Sequence, residues 1–306
     1  MQTVLITGGS GFVGQNLTTF LIKSGYQVII LSRSLEGKKN SEQVSYAVWD
    51  LKKHYIDPVA ISAADYIIHL AGAGVVDKKW TDAYKQEILE SRTGGSKLII
   101  EALQNQPHHI KAIISASAIG WYGADAMPVI PFTETDPASD DFLGQTCRLW
   151  EQSILAAEKL DVRVCTLRTG IVLGNGGGAL AEFIKPLKFG IAGILGSGKQ
   201  VVSWIHINDL CRMYLFALEN QTLKGSFNAV APLPVSNKEL TLTLAHTLRG
   251  KFFIPMHVPA FVLKLMMGQR SIEVLKSATV SATKIQEAGF QFSFPRIDAA
   301  ISNLLK

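Results

Sequence analysis

Three glycines near the amino terminus have the spacing of a loop that binds phosphate groups. They lie in the run Thr7-Gly-Gly-Ser-Gly-Phe-Val-Gly14, which follows a short apolar stretch and opens a helical pattern. Gly8 allows a tight turn, Gly11 lets the backbone approach a pyrophosphate, and Gly14 lets helix and strand pack closely. The N–H groups at the start of the helix favour the phosphate charge. We expect a dinucleotide here, and an ordinary glycine-rich turn is the alternative. The predicted contacts are Gly8, Ser10, Gly11, Phe12, Val13 and Gly14.

The residues that follow the second apolar run indicate which dinucleotide this loop would hold. In Leu31-Ser32-Arg33, a hydroxyl and a guanidinium stand where an acidic residue would hydrogen-bond to the ribose 2′-hydroxyl of NAD. A guanidinium suits the extra 2′-phosphate of NADP, which a carboxylate would repel. Glu36 lies beyond Arg33 and is not expected to reverse this preference. Ser32 and Arg33 therefore predict NADP, with a solvated loop charge as the alternative reading of Arg33.

The elements around these residues alternate short apolar runs with longer helical patterns, which is typical of βαβ units and a parallel sheet. The runs are nearly continuous in apolar residues, as expected for strands that are covered on both faces. The predicted strands are Thr3–Thr7, Gln27–Leu31, Ser45–Trp49, Tyr66–Leu70, Ala112–Ser115 and Arg163–Leu167. The predicted helices are Phe12–Ser24, Asp82–Gln104, Phe142–Lys159 and Asp209–Glu219. We expect an α/β fold of the Rossmann type, a doubly wound parallel sheet, with a smaller C-terminal substrate lobe.

Composition excludes several other classes of protein. The chain has 306 residues, 47% of them hydrophobic and 18% charged, so it is not a disordered chain. The net charge of +5 is scattered, which favours small anions and does not indicate nucleic acid. Cys147, Cys165 and Cys211 are odd in number and lack metal spacing, so neither a disulfide framework nor a metal site is expected. Because the sequence shows no secretory signal and no apolar run of about 20 residues, we expect no membrane partner and a cytoplasmic location.

Further segments along the chain carry the resemblance to a known family. They are Thr7–Gly14, His69–Ala73, Ser115–Gly123, Leu167–Gly170 and Trp204–Asp209. In this order they resemble the extended short-chain dehydrogenases/reductases, the superfamily of sugar-nucleotide epimerases and dehydratases. Three more segments resemble its atypical subgroup, whose members carry a C-terminal domain of unknown function. These segments are Lys85–Arg92, Val172–Gly178 and Ala288–Pro295, so the resemblance spans essentially the whole chain.

By this resemblance, further residues at the carboxyl ends of the strands would contact the cofactor, where open α/β sheets bind their ligands. The helical residues among them have a surface ion pair as the alternative. The implied contacts are Asp50 and Leu51 at the adenine, Leu70, Ala71 and Gly72 on the adenine–ribose side, Glu87 and Arg92 from the following helix, Ser115 and Arg168 near the strand ends, and Thr169, Gly170 and Val172 beside the nicotinamide.

The catalytic pattern that the resemblance implies is incomplete. The family's chemistry needs a Ser or Thr and then Tyr-x-x-x-Lys on one helix, where Lys lowers the pKa of the tyrosine. Ser117 matches the serine. Aligning the family's helical glutamate with Glu151 places Leu143 at the tyrosine position and Cys147 at the lysine position. A shift of one residue does not restore the pair, so the usual mechanism does not carry over.

Three residues are nevertheless predicted to serve catalysis. Ser117 would hydrogen-bond to a substrate oxygen. Tyr122 is the nearest substitute phenol, with a packed aromatic residue as the alternative. Cys147 would donate a proton or line the site, with a buried small hydrophobe as the alternative.

The leading hypothesis is an NADP-dependent oxidoreductase or epimerase-like enzyme that transfers a hydride to or from a small carbonyl or sugar-type substrate. The alternative is an NADP(H)-binding regulatory or scaffold protein without turnover, which the missing Tyr and Lys motivate. Residues 1–230 would form the NADP-binding domain, with 171–203 contributing to the substrate lobe, and 231–306 would form the C-terminal part of that lobe. A homodimer is left open.

Overall fold

A computed structural model describes residues 1–306 and contains fourteen strands, eight of which form one central sheet. The strands in chain order are β1 (Thr3–Thr7), β2 (Gln27–Ser32), β3 (Val44–Asp50), β4 (Tyr55–Ile56), β5 (Tyr66–His69), β6 (Ala112–Ala118), β7 (Arg163–Thr169), β8 (Ile171–Leu173), β9 (Ile191–Leu195), β10 (Val201–Val202), β11 (Trp204–His206), β12 (Gly225–Ala229), β13 (Val235–Ser236) and β14 (Ile254–Val258). The central sheet has the order β12-β7-β6-β5-β1-β2-β3-β4. All its neighbours are parallel except β3 and β4.

Helices cover both faces of this sheet. They are α1 (Phe12–Lys23), α2 (Pro58–Ala63), α3 (Asp82–Asn105), α4 (Phe142–Leu155), α5 (Gly178–Leu187), α6 (Ile207–Glu219), α7 (Asn237–Arg249), α8 (Ala260–Met267), α9 (Ser271–Leu275), α10 (Thr283–Glu287) and α11 (Ile297–Leu304). One core cluster contains Leu17 of α1 together with α6 residues, and a second contains Ile61, Ile99 and Ile154 of α2, α3 and α4. The predicted doubly wound α/β fold is therefore confirmed.

The six predicted strands are all present, with ends that differ by up to three residues. The two other strands of the sheet, β4 and β12, were not predicted. Strand β12 reads Gly-Ser-Phe-Asn-Ala, and Ser226 and Asn228 interrupt the apolar run that identifies a buried strand. The strand is nevertheless fixed by its parallel pairing with β7, which joins Gly225–Ala229 to Cys165–Thr169.

The fourth helix is shorter than predicted. Helix α4 begins after Asp141, whose carboxylate accepts the N–H of Gly144, and ends at Leu155 instead of Lys159. The chain then tightens into a 3₁₀ turn over Ala156–Leu160, and the next residue, Asp161, has a left-handed backbone with φ of 58°. A left-handed residue cannot continue an α-helix.

The second half of the chain packs directly on the first. The strand pairs β8–β11, β9–β14 and β10–β13 form three small two-stranded sheets. The larger core cluster joins Val4 and Ile6 of β1 to Ile297 and Ile301 of α11, so apolar residues from both chain ends share one core. The division at residue 230 stays a prediction. None of the helices combines the length and the apolarity that crossing a bilayer requires.

Candidate active site

The glycine loop after β1 leaves backbone donors free at the start of α1. Gly8 has a positive φ of 71°, and its carbonyl accepts the N–H of Gly11 at 3.0 Å. A Cβ on Gly14 would lie 2.3 Å from the carbonyl oxygen of Gly8, so only glycine permits this close approach. No side chain caps α1, and the N–H groups of Phe12 and Val13 donate to no protein acceptor. These donors and the helix dipole make a site for an anion.

A buried threonine–histidine pair holds this loop against the neighbouring strand. The hydroxyl oxygen of Thr7 accepts the N–H groups of Leu70 and Ala71, each at 3.1 Å. It also lies within hydrogen-bond distance of Nδ1 of His69, at 2.7 Å. Burial lowers the pKa of His69 to about 4, so the ring is neutral near pH 7. The pair therefore fixes the ends of the neighbouring strands β1 and β5. The strand order of the sheet reverses between these two strands, and doubly wound sheets bind their ligands at such a point. This link was not predicted.

The residues after β2 are arranged as an open, basic turn. The Ser32 hydroxyl donates to the carbonyl of Ser34 at 2.8 Å. Arg33 is exposed, and no acidic side chain pairs with it. At the end of β3, the Asp50 carboxylate accepts the N–H groups of the following turn, while Leu51 is half-buried. Of the two predicted 2′-phosphate contacts, Arg33 is therefore free to meet a ligand, whereas the Ser32 hydroxyl already donates its proton within the chain.

Two predicted contacts from α3 have different surroundings. Glu87 is exposed and pairs with Lys78 at 3.2 Å, which matches the surface ion pair that was its alternative reading. The Arg92 side chain instead lies under the loop after β5, where a Cβ on Gly72 would stand 3.0 Å from the guanidinium carbon. Its Nη1 donates to the carbonyl of Ala73 at 3.0 Å.

Farther along the sheet, a buried ion pair occupies the face that covers β6, β7 and β12. Arg168 donates from Nε and Nη2 to the two carboxylate oxygens of Glu151, at 2.8 and 2.9 Å. Ser117 donates to the same carboxylate at 2.6 Å. Arg168 also donates to the Tyr122 hydroxyl at 3.0 Å, and that hydroxyl donates to Asn228 at 2.6 Å. Arg168, predicted as a cofactor contact, is therefore directed into the interior.

The strand register explains this network. Ser117 pairs with Arg168, and Arg168 pairs with Asn228, on three adjacent parallel strands. Residues paired in register lie side by side on one face of a sheet. Glu151 and Asn228 were not predicted. One signal for Glu151 is its position four residues after Cys147, on the apolar stripe of α4.

The three predicted catalytic residues are all buried. The Ser117 and Tyr122 hydroxyls are both engaged by the network. Burial raises the pKa of Tyr122 to about 12, although the charge of Arg168 opposes this rise. Burial likewise raises the pKa of Cys147 to about 12. Tyr122 and Cys147 are therefore protonated at neutral pH, and the catalytic roles of all three residues stay predictions.

The turn after β6 packs against the helix positions where the resemblance implies Tyr and Lys. A Cβ on Gly120 would lie 3.2 Å from Cβ of Leu143 and 3.9 Å from Sγ of Cys147. Arg148, which a shift of one residue would place at the lysine position, is exposed on the helix. These helix positions therefore lack the Tyr–Lys pair that the family uses, as the sequence predicts.

The residues predicted to border the nicotinamide lie at the end of β7 and in β8. Thr169 donates its hydroxyl proton to the carbonyl of Leu167 at 3.1 Å, and Val172 is half-buried. A Cβ on Gly170 would lie 2.5 Å from the carbonyl oxygen of Ser203, which explains the glycine. Ser115 is farther inside, fully buried, with its hydroxyl on the carbonyl of Ala116.

A second glycine-rich loop closes over the first. A Cβ on Gly174 would lie 2.6 Å from the ring of Phe12, and one on Gly177 would lie 2.8 Å from it. Phe12 is the first residue of α1, so the loop that follows β8 packs against the start of the helix that offers the free N–H groups. Side chains at these glycines would push the two loops apart.

Comparison with known proteins identifies the family. The family model described as "NAD dependent epimerase/dehydratase family" matches residues 4–229. The chain belongs to this family. A second model, a domain of unknown function (DUF1731), matches residues 258–304, in agreement with the subgroup that the sequence resembles.

Relatives of this epimerase/dehydratase chain cover its full length. The epimerase family protein YfhF of Bacillus subtilis is 34% identical over 305 residues, which is 99% of this chain and 98% of that protein. An epimerase family protein of Staphylococcus aureus strain NCTC 8325 is 36% identical over 307 residues, covering all of both chains.

Solved structures show the same architecture. The human epimerase family protein SDR39U1, crystallised with NADPH, superposes with a TM-score of 0.85 at 28% identity and covers 99% of both chains. A nucleoside-diphosphate sugar epimerase from Corynebacterium glutamicum gives a TM-score of 0.77 at 32% identity, over 99% of this chain and 58% of that one.

Proposed function

We propose that the protein binds NADP(H) across the carboxyl ends of β1, β2 and β5 and acts as an NADP-dependent oxidoreductase or epimerase-like enzyme. The substrate would be a small carbonyl compound or a sugar-type molecule. The observation that carries this proposal is the glycine loop, where the N–H groups of Phe12 and Val13 have no protein acceptor and could donate to a pyrophosphate. The loop fits the group because Gly14 allows the helix start to lie against Gly8.

The preference for NADP over NAD rests on the turn after β2. Ser32 and Arg33 offer a hydroxyl and an unpaired guanidinium, and no acidic residue occupies these two positions. The NADPH in the human relative supports the same choice. Other structures of similar fold hold NAD, so the basic turn carries the argument.

When bound, the dinucleotide supplies or accepts a hydride at C4 of its nicotinamide, and a carbonyl substrate would gain that hydride on carbon and a proton on oxygen. Among the residues of this chain, we propose Tyr122 as the proton donor, because it is the only tyrosine in the turn after β6, where we expect the nicotinamide to lie. To act as the donor, Tyr122 would give its hydroxyl proton to the substrate oxygen instead of sharing it with Asn228. Ser117 would orient the oxygen, and Cys147 would line the site.

The second candidate, a protein that binds NADP(H) without turnover, is favoured by the same network. Both hydroxyls have protein partners, and Leu143 and Cys147 cannot form a phenol–ammonium pair.

Turnover separates the two candidates. The protein would be loaded with NADPH and incubated with small aldehydes, ketones and nucleotide sugars, while the dihydronicotinamide absorbance is followed. For epimerisation, the sugars would be analysed by NMR after incubation with NADP⁺. An enzyme oxidises NADPH or converts a sugar with at least one compound, whereas the binding protein does neither with any of them. A protein that fails to bind NADPH contradicts both candidates.

A further inference from the structure

Two loops in the second half of the chain each present a lysine followed by an exposed phenylalanine. Lys188 and Phe189 come directly after α5, and Lys251 and Phe252 come shortly after α7. The exposed fractions of the two phenylalanines are 84% and 88%, among the highest of the large apolar side chains in this protein. Single exposed apolar residues are common, but neighbouring ones that form a patch indicate a surface that another body covers.

Hydrogen bonds hold these two loops side by side. The N–H of Ile254 donates to the carbonyl of Gly190 at 2.8 Å, where β14 begins to pair with β9. The last residue of α7, Arg249, donates from Nε to the carbonyl of Leu187 at 3.0 Å. The two phenylalanines therefore belong to adjacent loops on the same part of the surface.

Strand β14 extends this apolar surface. Ile254 and Met256 are both exposed, and alternate residues of a strand point to the same side. We call Phe189, Phe252, Ile254 and Met256 the apolar patch. It consists of two protruding rings and a strand face, so it is not a groove that could enclose a small ligand.

The charges around the apolar patch have one sign. The two stretches of chain from which it arises, residues 183–208 and 240–272, contain seven of the 30 lysines and arginines and none of the 25 aspartates and glutamates. These cations are Lys185, Lys188, Lys199, Arg249, Lys251, Lys264 and Arg270. Only Lys185 has an acidic partner, Glu182 at 2.6 Å. Because protein surfaces ordinarily mix the two signs, this part of the molecule is complementary to a negatively charged surface.

The free edge of β14 is unfavourable for the addition of a strand from another protein. Ile254 and Val258 hydrogen-bond to the β9 side, so Pro255 and His257 lie toward the free edge. Proline has no N–H to donate to an added strand, and it commonly protects sheet edges from such pairing. A second copy of this chain would also bring the same positive charges together.

An anionic lipid surface matches both properties of the patch. Aromatic and aliphatic side chains insert at the boundary between headgroups and acyl chains, and nearby lysines are attracted to the anionic headgroups. A nucleic acid would match the lysines but would leave Ile254 and Met256 exposed to water.

We propose that the protein binds peripherally to membranes that contain anionic lipids, with Phe189 and Phe252 inserted at the headgroup level and Lys188 and Lys251 beside the lipid phosphates. The expectation of no membrane partner rested on the lack of a spanning segment, which binding to a membrane surface does not require. This inference is independent of the proposed NADP(H) site.

Flotation of the full chain with lipid vesicles tests the proposal. Vesicles of phosphatidylcholine alone are compared with vesicles of phosphatidylcholine and phosphatidylglycerol, at low and at high salt. We expect binding to the vesicles that contain phosphatidylglycerol, weakened by salt, and little binding to phosphatidylcholine alone.

Three double variants separate the apolar part of this binding from the electrostatic part. Phe189→Ser/Phe252→Ser should weaken binding to the anionic vesicles about ten-fold or more, because both inserted rings are lost. Lys188→Gln/Lys251→Gln should also weaken it about ten-fold or more, because two cations near the surface are lost. The matched control Lys23→Gln/Val59→Ser removes an exposed cation and an exposed apolar side chain from α1 and α2, and it should bind like the unaltered protein. All the replaced side chains are exposed, and circular dichroism verifies that the variants are folded.

Each of the other results overturns the inference. Equal binding to both kinds of vesicle, or binding to neither, contradicts an anionic membrane site. Full binding by the phenylalanine variant means that the lysines attract any polyanion and that the rings do not insert. Binding to a DNA duplex without binding to vesicles assigns the surface to nucleic acid.

A fluorescent reporter shows insertion directly. Phe252→Trp keeps an aromatic ring at the loop tip, and its emission, taken as the difference from the unaltered protein, should shift to shorter wavelength when vesicles with phosphatidylglycerol are added. Lipids brominated in their acyl chains should quench this emission. Val59→Trp, at the exposed control position, should show neither effect. The absence of a shift and of quenching for Phe252→Trp contradicts insertion.

Discussion

Replacing Glu151 by glutamine tests whether the buried ion pair stabilises the fold. The Glu151 carboxylate accepts four hydrogen bonds, two from Arg168 and one each from Ser117 and Ser226, at 2.6 to 2.9 Å. Both charged side chains are nearly inaccessible, with exposed fractions of 3% and 4%. Burial opposes the charge of Arg168, but the hydrogen bond and charge of Glu151 outweigh it and raise the pKa of Arg168.

The expected loss follows from leaving this arginine without its partner. Glutamine keeps the shape of the side chain but turns an NH₂ group toward donors and removes the negative charge. Breaking a buried pair in this way costs about 3–5 kcal/mol of unfolding free energy. The double variant Glu151→Gln/Arg168→Met removes both charges and should be more stable than the single variant, because no isolated charge remains.

Urea unfolding followed by circular dichroism measures these free energies. Glu158→Gln, at an exposed position just beyond the same helix, is the matched control and should change stability by no more than about 0.5 kcal/mol. A loss below about 1 kcal/mol in Glu151→Gln, as for an exposed pair, would refute the buried network.

Three further predictions follow from the loops and the buried side chains. Gly11→Val should fold normally, because a Cβ at this position meets only one loop carbonyl at 3.3 Å, but it should lose NADPH binding in calorimetry. Gly14→Ala should instead lower the melting temperature, because its Cβ would lie 2.3 Å from the backbone. Once a substrate is found, Tyr122→Phe should lower turnover by about 10²-fold or more and Cys147→Ser by less than about ten-fold; undiminished turnover in the first would reject the phenol as the acid. Burial lowers the pKa of His69 to about 4 in the folded protein, whereas the unfolded chain would protonate this ring near pH 6.5. The free energy of unfolding should therefore fall by about 3 kcal/mol as the pH falls from about 6.5 toward 4. A His69→Gln variant should lack this part of the pH dependence in urea titrations.

The sequence predicted those parts of the fold that a short, local pattern determines. The runs from Thr3 and from Tyr66 are apolar enough to identify buried strands without any knowledge of their partners. The strand β12 is different, because the polar residues Ser226 and Asn228 are typical of a loop. Only their hydrogen bonds to Glu151 and Tyr122 explain why they lie in a buried strand. Its pairing with β7 is a contact between residues about 60 positions apart, which no local window contains.

The same limit applies to the site. The conformation of the glycine loop could be predicted because it depends on the loop's own residues, and the structure shows the close approach of Gly14 to Gly8 that the spacing requires. The hydrogen-bond partners of Ser117, Tyr122 and Arg168 could not be predicted, since Glu151 and Asn228 come from a distant helix and strand. A glutamate on a helix ordinarily faces water, and only its position on the apolar stripe of α4 indicated burial.

The relative affinity of NADPH and NADH tests the central claim most directly. Calorimetric titration of the unaltered protein should give NADPH binding about ten- to a hundred-fold tighter than NADH, as expected for one charged contact to the 2′-phosphate. Arg33→Ala should remove most of that difference by weakening NADPH alone, while Arg148→Ala, at an exposed arginine on α4, should leave it intact. Equal affinities for the two dinucleotides in the unaltered protein, or binding of neither, would contradict the assignment.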